Sequence, residues 1–347
     1  MKKSRLGLRI FLSVITTIVM FMLTINVIPP SKVVDYNPFL KQGEKLPMVA
    51  AHRGGATSNP QNTMKAFKSA VNEYQVDIIE SDLYLTSDGY LIFNHDDYID
   101  ETCNINGDMS YEDVRNLPKD KRHYIKDMTL EQLRNYNFGH FFKDKYNNNN
   151  MPYHNLTSID QENNQLVLKD NDLQIVEASE FFNEFYKDHK DLLFILEIKD
   201  EGDRGKLASD KLITMLKDSY PEYLDNLVIG TFHPEIEEYL STNYKEIYKG
   251  ASTSGAAGFI ISEYLKVNLF YTPGYSCLQI PMSYEIKGIE IPLDSKDIIK
   301  KAHQRNMAVQ YWTINDKDEM HRVIDLNCDA IMTDDLKLIY EVYNEYK

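Results

Sequence analysis

Residues 48–63 read MVAAHRGGATSNPQNT, and residues 76–97 read VDIIESDLYLTSDGYLIFNHDD. The first is a short apolar run that ends in His52, Arg53 and two glycines. A helical stretch, TMKAFKSAVNEY, follows, with Asn62 or Thr63 as its natural N-cap. The second apolar run, from Val76, ends in Glu80 and Asp82. Strand, helix, strand in this order is the unit from which parallel sheets are built.

Downstream the same alternation continues. Strand-like runs lie at LLFILEIK (192–199), NLVIGTF (226–232), EIYKGAS (246–252), SCLQIPM (276–282), AVQYW (308–312) and DAIMTD (329–334). Helical patterns such as SEFFNEFYKDH, GKLASDKLITMLKDS and SKDIIKKAHQRN separate them. Near-continuous apolar runs flanked by helices mark parallel strands buried on both faces. With MVAAH (48–52) and VDIIESD (76–82) there are eight, so the expected fold is α/β: a distorted (β/α)8 TIM barrel over residues 48–345, with its site at the carboxyl ends of the strands.

Two features break the alternation. Asp88-Gly89 between strand-like runs signals a hairpin, which would bring His95 back toward Glu80 and Asp82. A long polar insertion after the second strand, residues 98–175, includes Asn147–Asn150 and a short helical piece, LEQLRNYNF. It is expected to form a cap over the barrel rather than a second domain. Asn155-Leu156-Thr157 matches a glycosylation acceptor, a triplet that is common by chance.

Upstream, residues 29–47 contain Pro29, Pro30, Pro38 and Pro47 and read as a linker. Before it, Lys2, Lys3, Arg5 and Arg9 precede an apolar run from Ile10 to Ile28. At about 1.5 Å per helical residue this run spans roughly the 30 Å hydrocarbon core of a bilayer. It lacks a small-x-small cleavage site, so residues 1–28 are expected to be an uncleaved transmembrane anchor rather than a signal peptide. The basic flank keeps the amino terminus inside. The chain is thus expected in the cell membrane, single-pass, with the catalytic domain outside the cytoplasm.

The chain has 347 residues, 43% of them apolar, and a net charge of −15. That charge argues against a nucleic-acid or anionic-lipid binding face, though a locally positive site for an anionic substrate remains compatible with it. Cys103, Cys277 and Cys328 show neither metal-ligand spacing nor a disulfide framework.

Glu80 and Asp82 stand two apart on a strand, so both leave the same face. Two carboxylates projecting from a buried strand repel each other and resist desolvation, and a divalent cation resolves both problems. The bland alternative is a solvated strand end. Glu197 ends another buried strand beside Lys199, either as a third ligand or as a simple ion pair. An all-oxygen set suits Mg²⁺ or Ca²⁺ better than Zn²⁺. Arg53 offers a planar fork for phosphate oxygens, and Gly54-Gly55 would let a phosphate approach the backbone. His52 and His95 can move protons near neutral pH. Trp312, the only tryptophan, either walls a pocket or belongs to the core. The remaining histidines read as surface or structural residues, with His233, at a strand end, the exception to watch.

In these residues the chain resembles the glycerophosphodiester phosphodiesterase family. The resemblance covers roughly residues 48–340: H-R-G at 52–54, N-P-Q-N-T at 59–63, E-S-D at 80–82, H-D at 95–96, E-I-K at 197–199, W-T-I-N at 312–315 and D-A-I-M-T-D at 329–334. It implies a phosphoric diester hydrolase of the barrel class that splits glycerophosphodiesters into sn-glycerol 3-phosphate and an alcohol, through attack of the glycerol 2-hydroxyl and a cyclic phosphate. It further implies His52 and His95 as the general acid–base pair and Glu80, Asp82 and Glu197 as ligands of Mg²⁺ or Ca²⁺. Arg53 and Lys199 would bind phosphate, and Trp312 would line the pocket. Its partners would be a small-molecule or lipid-derived phosphodiester and, through the amino-terminal helix, the membrane, with no nucleic acid. One position departs from the pattern: Gln61 stands where the family usually has glutamate. The alternatives are a lysophospholipase D-like or phosphatidylinositol-specific phospholipase-like enzyme acting on lipids, and a non-catalytic membrane-tethered binding module.

Overall fold

A computed structural model of the chain describes residues 2–41, 43, 45–154, 156–160 and 165–347. Asn155, the acceptor of the glycosylation triplet, lies outside the described residues. The strands are β1 (Met48–His52), β2 (Ile78–Leu85), β3 (Leu91–Phe93), β4 (Thr157–Asp160), β5 (Gln165–Leu168), β6 (Leu193–Ile198), β7 (Leu227–Gly230), β8 (Tyr248–Lys249), β9 (Cys277–Ile280), β10 (Ser283–Ile286), β11 (Ile289–Pro292), β12 (Ala308–Tyr311) and β13 (Ala330–Thr333).

Eight of these run parallel in the order β8-β7-β6-β2-β1-β13-β12-β9. A parallel bridge between Gly250 and Cys277 brings the two ends of that path together, with Ala251 N–H donating to the Cys277 carbonyl at 2.9 Å and Ser276 N–H to Lys249 at 2.9 Å. The result is a near-closed TIM barrel, distorted where β8 shrinks to two residues. All eight sequence runs read as parallel strands are barrel strands. The Asp88-Gly89 turn joins β2 to antiparallel β3, which pairs Leu83 with Phe93 and Leu85 with Leu91. Gly89 takes φ +81, a left-handed conformation that glycine adopts without a Cβ penalty.

Strand side chains alternate between faces, so each barrel strand sends every second residue inward. Ala50, Ile78, Leu193, Ile195, Val228, Cys277, Ala308, Ala330 and Met332 pack together as the barrel's interior. Continuing at the same parity, β1 reaches His52, β2 reaches Glu80 and Asp82, β6 reaches Glu197 and then Lys199, and β13 reaches Asp334. On these four strands the inward row therefore passes from apolar residues to ionisable ones at the carboxyl ends. On the outer face a larger apolar cluster binds the strands to the surrounding helices, with Phe67, Phe181, Phe182, Phe185 and Phe194 fully buried in it.

Within the stretch read as a linker, Asn37 and Phe39 pack on the barrel. Phe39 is fully buried in the interior cluster with Ala50, Ile78 and Ala330. Asn37 locks it in place, its amide donating to the carbonyls of Ser276 (2.9 Å) and Asn306 (3.0 Å). Its Oδ1 accepts from Phe39 N–H at 3.0 Å. The segment folds onto the barrel because a fully apolar ring is worth more inside the strand cylinder than in water.

The insertion carries its own small core, in which Ile99, Cys103, Ile125, Leu130, Leu133 and Phe138 pack on Ile92 of β3. It also reaches the rim of the barrel, where Lys145 Nζ (2.6 Å) and Tyr146 Oη (2.6 Å) both bond Asp335. The amino-terminal helix, Lys2–Val27, contains a single stretch, Arg9–Val27, long and apolar enough to cross a membrane by length and composition.

Candidate active site

β1 ends in His52, and the next three residues all adopt positive φ: Arg53 at 52°, Gly54 at 81° and Gly55 at 87°. This turn folds the chain across the strand end and aims the Arg53 backbone N–H at Glu80 Oε2, 3.0 Å away. A Cβ on Gly54 would meet Ala66 and Phe67 at 2.9 Å, and one on Gly55 would meet Leu336 at 2.6 Å. The glycines therefore serve the turn and its packing against protein. Thr63 proves to be the cap of the following helix, its hydroxyl accepting from Ala66 N–H at 3.2 Å.

The two histidines are held in the same way. His52 Nδ1 bonds Asp334 Oδ1 at 2.7 Å, and His95 Nδ1 bonds Asp96 Oδ1 at 3.0 Å. A carboxylate at Nδ1 accepts a hydrogen bond from the N–H there, which leaves Nε2 free to exchange protons elsewhere. Asp334 is itself fixed by Asn315: the Asn315 amide donates to Oδ2 at 2.7 Å, and Asn315 Oδ1 accepts from the Asp334 N–H at 2.9 Å. Burial pulls the His52 imidazole down, but the Glu80 charge and the Asp334 bond outweigh it and leave it above its ordinary value.

His52, Arg53, Glu80, Asp82, His95, Glu197, Lys199 and Trp312 all line one cavity at the barrel mouth, so the structure brings together every residue singled out in the sequence for this site. Asp82 and Glu197 are register partners on β2 and β6. Lys199 Nζ sits between them, 3.3 Å from Glu197 Oε1 and 3.5 Å from Asp82 Oδ1. Arg53 Nε lies 3.7 Å from Asp82 Oδ2, and its Nη1 donates to Gln61 Oε1 at 2.8 Å. Gln61 thus supports the arginine.

Burial raises the Glu80 carboxyl, and the neighbouring Asp82 raises it further against the pull of His52. Glu197 is likewise raised by burial, with Lys199 opposing. For Lys199, burial acts downward but Asp82 and Glu197 win, holding the ammonium above its ordinary range.

Three carboxylates of this kind form a hard, all-oxygen donor set, and buried Asp82 Oδ2 has no hydrogen-bond partner. That chemistry fits a divalent cation. Among the described residues no three His, Cys, Asp or Glu side chains already converge tightly enough to hold a metal ion, because Lys199 and Arg53 stand among the acids.

Sequence reasoning missed three contributors. Asp334 and Asp96 were visible only as neighbours in D-A-I-M-T-D and H-D-D. For Asp334, inward parity two residues past Met332 was the available signal. Phe232, half-exposed, also lines the cavity. It lies 6.3 Å from Trp312 ring to ring, with Lys199 Nζ 5.7 Å from its centroid. His233 stays outside the cavity lining and steadies the Lys199 carbonyl through Nε2 at 3.1 Å. His140 and His154 stack on each other in the insertion (4.1 Å between centroids), and His303 bonds Asp329.

The sequence model of the Glycerophosphoryl diester phosphodiesterase family matches residues 52–338. A glycerophosphodiester phosphodiesterase of Caldanaerobacter subterraneus subsp. tengcongensis is 24% identical over 293 residues, covering 83% of this chain and 94% of that protein. Among solved structures, the glycerophosphoryl diester phosphodiesterase domain of a Mycobacterium tuberculosis protein superposes with a TM-score of 0.63 at 14% identity, over 87% of this chain and all (100%) of that one. An Oleispira antarctica phosphodiesterase in complex with the product sn-glycerol-3-phosphate superposes with a TM-score of 0.57 at 19% identity, over 86% of this chain and 97% of that one. At these identities the structures speak for the fold.

Proposed function

We propose that this chain, which belongs to the Glycerophosphoryl diester phosphodiesterase family, hydrolyses glycerophosphodiesters to sn-glycerol 3-phosphate and an alcohol, with His52 and His95 as its acid–base pair. The observation that carries this reading is the pair of imidazoles on one cavity, each with Nδ1 tied to its own carboxylate. Membership of the family makes the chain a phosphoric diester hydrolase.

In the attack, one neutral imidazole takes the proton of the attacking hydroxyl at Nε2. The glycerol 2-oxygen forms a new bond to phosphorus as the P–O bond to the leaving alcohol breaks, and the other imidazole, protonated, gives that alcohol its proton. Water then adds to phosphorus, the P–O bond to the 2-oxygen breaks and that oxygen takes a proton back, with the two imidazoles in exchanged roles, leaving glycerol 3-phosphate. Such positioned proton transfers are worth about 10²–10⁴-fold each. Arg53 and Lys199 face the phosphate and offset the negative charge that builds on its oxygens. Glu80, Asp82 and Glu197 would hold Mg²⁺ or Ca²⁺, which when bound neutralises a phosphoryl oxygen and acidifies the attacking hydroxyl. Trp312 and Phe232 give the same cavity an apolar wall beside Lys199.

We assign residues 1–28 as a membrane anchor and 48–345 as the catalytic barrel, with 98–175 as its cap. The basic residues before the apolar run favour a single pass with the barrel outside the cytoplasm. A lipid substrate for the same site, as in a lysophospholipase D-like enzyme, is favoured by that helix and by the apolar Phe232–Trp312 wall.

The test is a substrate panel on the purified full chain with Mg²⁺ or Ca²⁺ added back, read as release of the alcohol, which is choline from both glycerophosphocholine and lysophosphatidylcholine. Glycerophosphocholine turnover is expected, with His52→Ala and His95→Ala each lowering kcat by about 100-fold or more. Full activity in either variant removes that histidine from the reaction. Faster turnover of lysophosphatidylcholine than of glycerophosphocholine selects the lipid reading, and no turnover of any diester selects a binding module.

A further inference from the structure

The barrel surface beside the amino-terminal helix carries large exposed apolar side chains. The helix Thr253–Tyr264 and the residues after it expose Ile261 (57%), Leu265 (61%) and Phe270 (64%). Nearby, the β10–β11 hairpin pairs Tyr284 with Ile291 and Ile286 with Ile289, and pairs Glu285 with Glu290 on its other side. One face of this ribbon is therefore wholly apolar, and Tyr284, Ile286 and Ile289 on it are exposed. The two surfaces adjoin, because the Tyr264 hydroxyl donates to the Pro292 carbonyl at the base of the hairpin, at 2.7 Å. Monomeric soluble proteins seldom leave such side chains in one contiguous area without a use for it.

What covers this face follows from the helix that touches it. The Phe270 ring stacks on Phe21 with centroids 6.4 Å apart. The Asn26 amide donates to the Lys266 carbonyl at 3.0 Å, and Lys301 Nζ bonds the Asn26 carbonyl at 3.5 Å. Phe21 lies within the apolar run, seven residues before its end at Ile28. At about 1.5 Å per residue that is roughly 10 Å inside the run. If the run crosses the bilayer, the ring stacked on Phe21 sits within the hydrocarbon, about 10 Å from its outer boundary. Lys266, exposed, and the hydroxyl of Tyr264 are then placed at headgroup level, where lysine and tyrosine are favoured.

We propose that the face formed by Ile261, Leu265 and Phe270 with the apolar side of the β10–β11 hairpin is seated in the outer surface of a phospholipid bilayer. The inference rests on the anchor reading and goes beyond it, because a tether alone leaves the barrel free in water. The contact is apolar in origin. The chain's net charge of −15 gives it no general attraction to anionic lipid, so a zwitterionic leaflet suffices. Seating fixes the barrel's orientation to the membrane and holds its mouth at a set height above the lipid.

The full chain, reconstituted into phosphatidylcholine vesicles, tests this with an environment-sensitive fluorophore on single introduced cysteines: Val19→Cys in the helix, Leu265→Cys and Ile289→Cys on the face, and Tyr146→Cys on the insertion. The native cysteines are all buried and free, so labelling of the folded chain falls on the introduced thiol, and retained turnover of a water-soluble diester reports folding. Quenching by doxyl-labelled phosphatidylcholine is expected at 19, 265 and 289 and not at 146. Quenching at 19 with 265 and 289 open to aqueous iodide overturns the seated face and leaves the anchor standing. A label at 19 that lipid does not quench overturns both. Labels at 265 and 289 shielded from iodide but not quenched by lipid mean that a second copy of the chain covers the face, which also overturns it.

Discussion

His52 and His95 are ordinary residues placed extraordinarily well, and the placing is done by carboxylates outside the reaction. Asp334 holds His52 by Nδ1 and is held in turn by Asn315. In Asp334→Asn the amide NH₂ can donate to Nδ1, which selects the tautomer with its proton on Nε2. We expect kcat to fall about 10²–10⁴-fold with KM within about threefold of the parent, because a wrong tautomer removes proton transfer and leaves binding intact. Steady-state kinetics at saturating metal decide it, and a kcat within threefold of the parent would discard the positioning role. Gln61 is the second case. It departs from the family pattern, yet its Oε1 accepts from Arg53, a bond that glutamate would also make. Gln61→Glu is therefore expected to leave kcat/KM near the parent value. Gln61→Ala, by releasing the guanidinium, is expected to raise KM about tenfold, the equivalent of one charge-assisted hydrogen bond of about 1.4 kcal/mol. Equal KM values in the two variants would show that Arg53 needs no such support. The site's acids, bases and cations could be read from the sequence because they end strands whose interiors are apolar. For Asp334, parity past Met332 placed the side chain inward, but its partner follows only from the register between β1 and β13.

At the scale of elements, legibility followed burial. The eight parallel strands stood out because both of their faces are covered, which leaves no polar alternation to blur them. The Asp-Gly turn stood out because few dipeptides tolerate its backbone. Three elements did not: the β4–β5 hairpin in the insertion, the β10–β11 hairpin after β9, and residues 29–47. In the last, prolines spoke for a spacer, and a lone Phe39 carries no periodicity to contradict them. Phe39→Ala empties a fully buried ring position in the barrel interior, so unfolding free energy should drop by about 3–5 kcal/mol. Denaturant titration measures this, and a loss under about 1 kcal/mol would mean that the segment only rests on the barrel. The insertion has a comparable anchor in Asp100. Burial pushes its carboxyl up, but bonds from Asn106 and from the His123 ring and N–H outweigh this and hold it below the usual range. A carboxyl whose folded value is depressed stabilises fully above its unfolded value, about 3.9, and loses that contribution as pH falls through the lower folded value. Asp100→Asn should therefore cost about 1–3 kcal/mol at pH 7, and the gap to the parent should close as pH falls below about 4. A gap independent of pH would assign the cost to packing alone.

The whole molecule carries 53 acidic and 38 basic residues, and its barrel mouth repeats that imbalance in miniature. Three carboxylates crowd there against two cations, and burial raises Glu80 and Glu197 toward neutrality. Lys199 and Arg53 relieve part of the repulsion from positions where they can also receive phosphate, so the same charges have to serve both substrate and carboxylates. A divalent cation at this site would free them from that double duty, and its binding to the folded chain alone would then stabilise the whole barrel. At 100 times its Kd a single ion adds about 2.7 kcal/mol. With an unfolding entropy near 2.1 cal/mol/K per residue, a barrel of about 300 residues gains roughly 4 °C in Tm. The expected result is a melting temperature that rises by this order when Mg²⁺ or Ca²⁺ replaces EDTA, alongside recovery of turnover. Glu197→Gln should abolish the rise without lowering the melting temperature in EDTA, since it removes one of the crowded charges together with a ligand. A parent chain whose melting temperature ignores both cations would leave Lys199 and Arg53 as the site's own counter-charges and remove the metal from the proposed reaction.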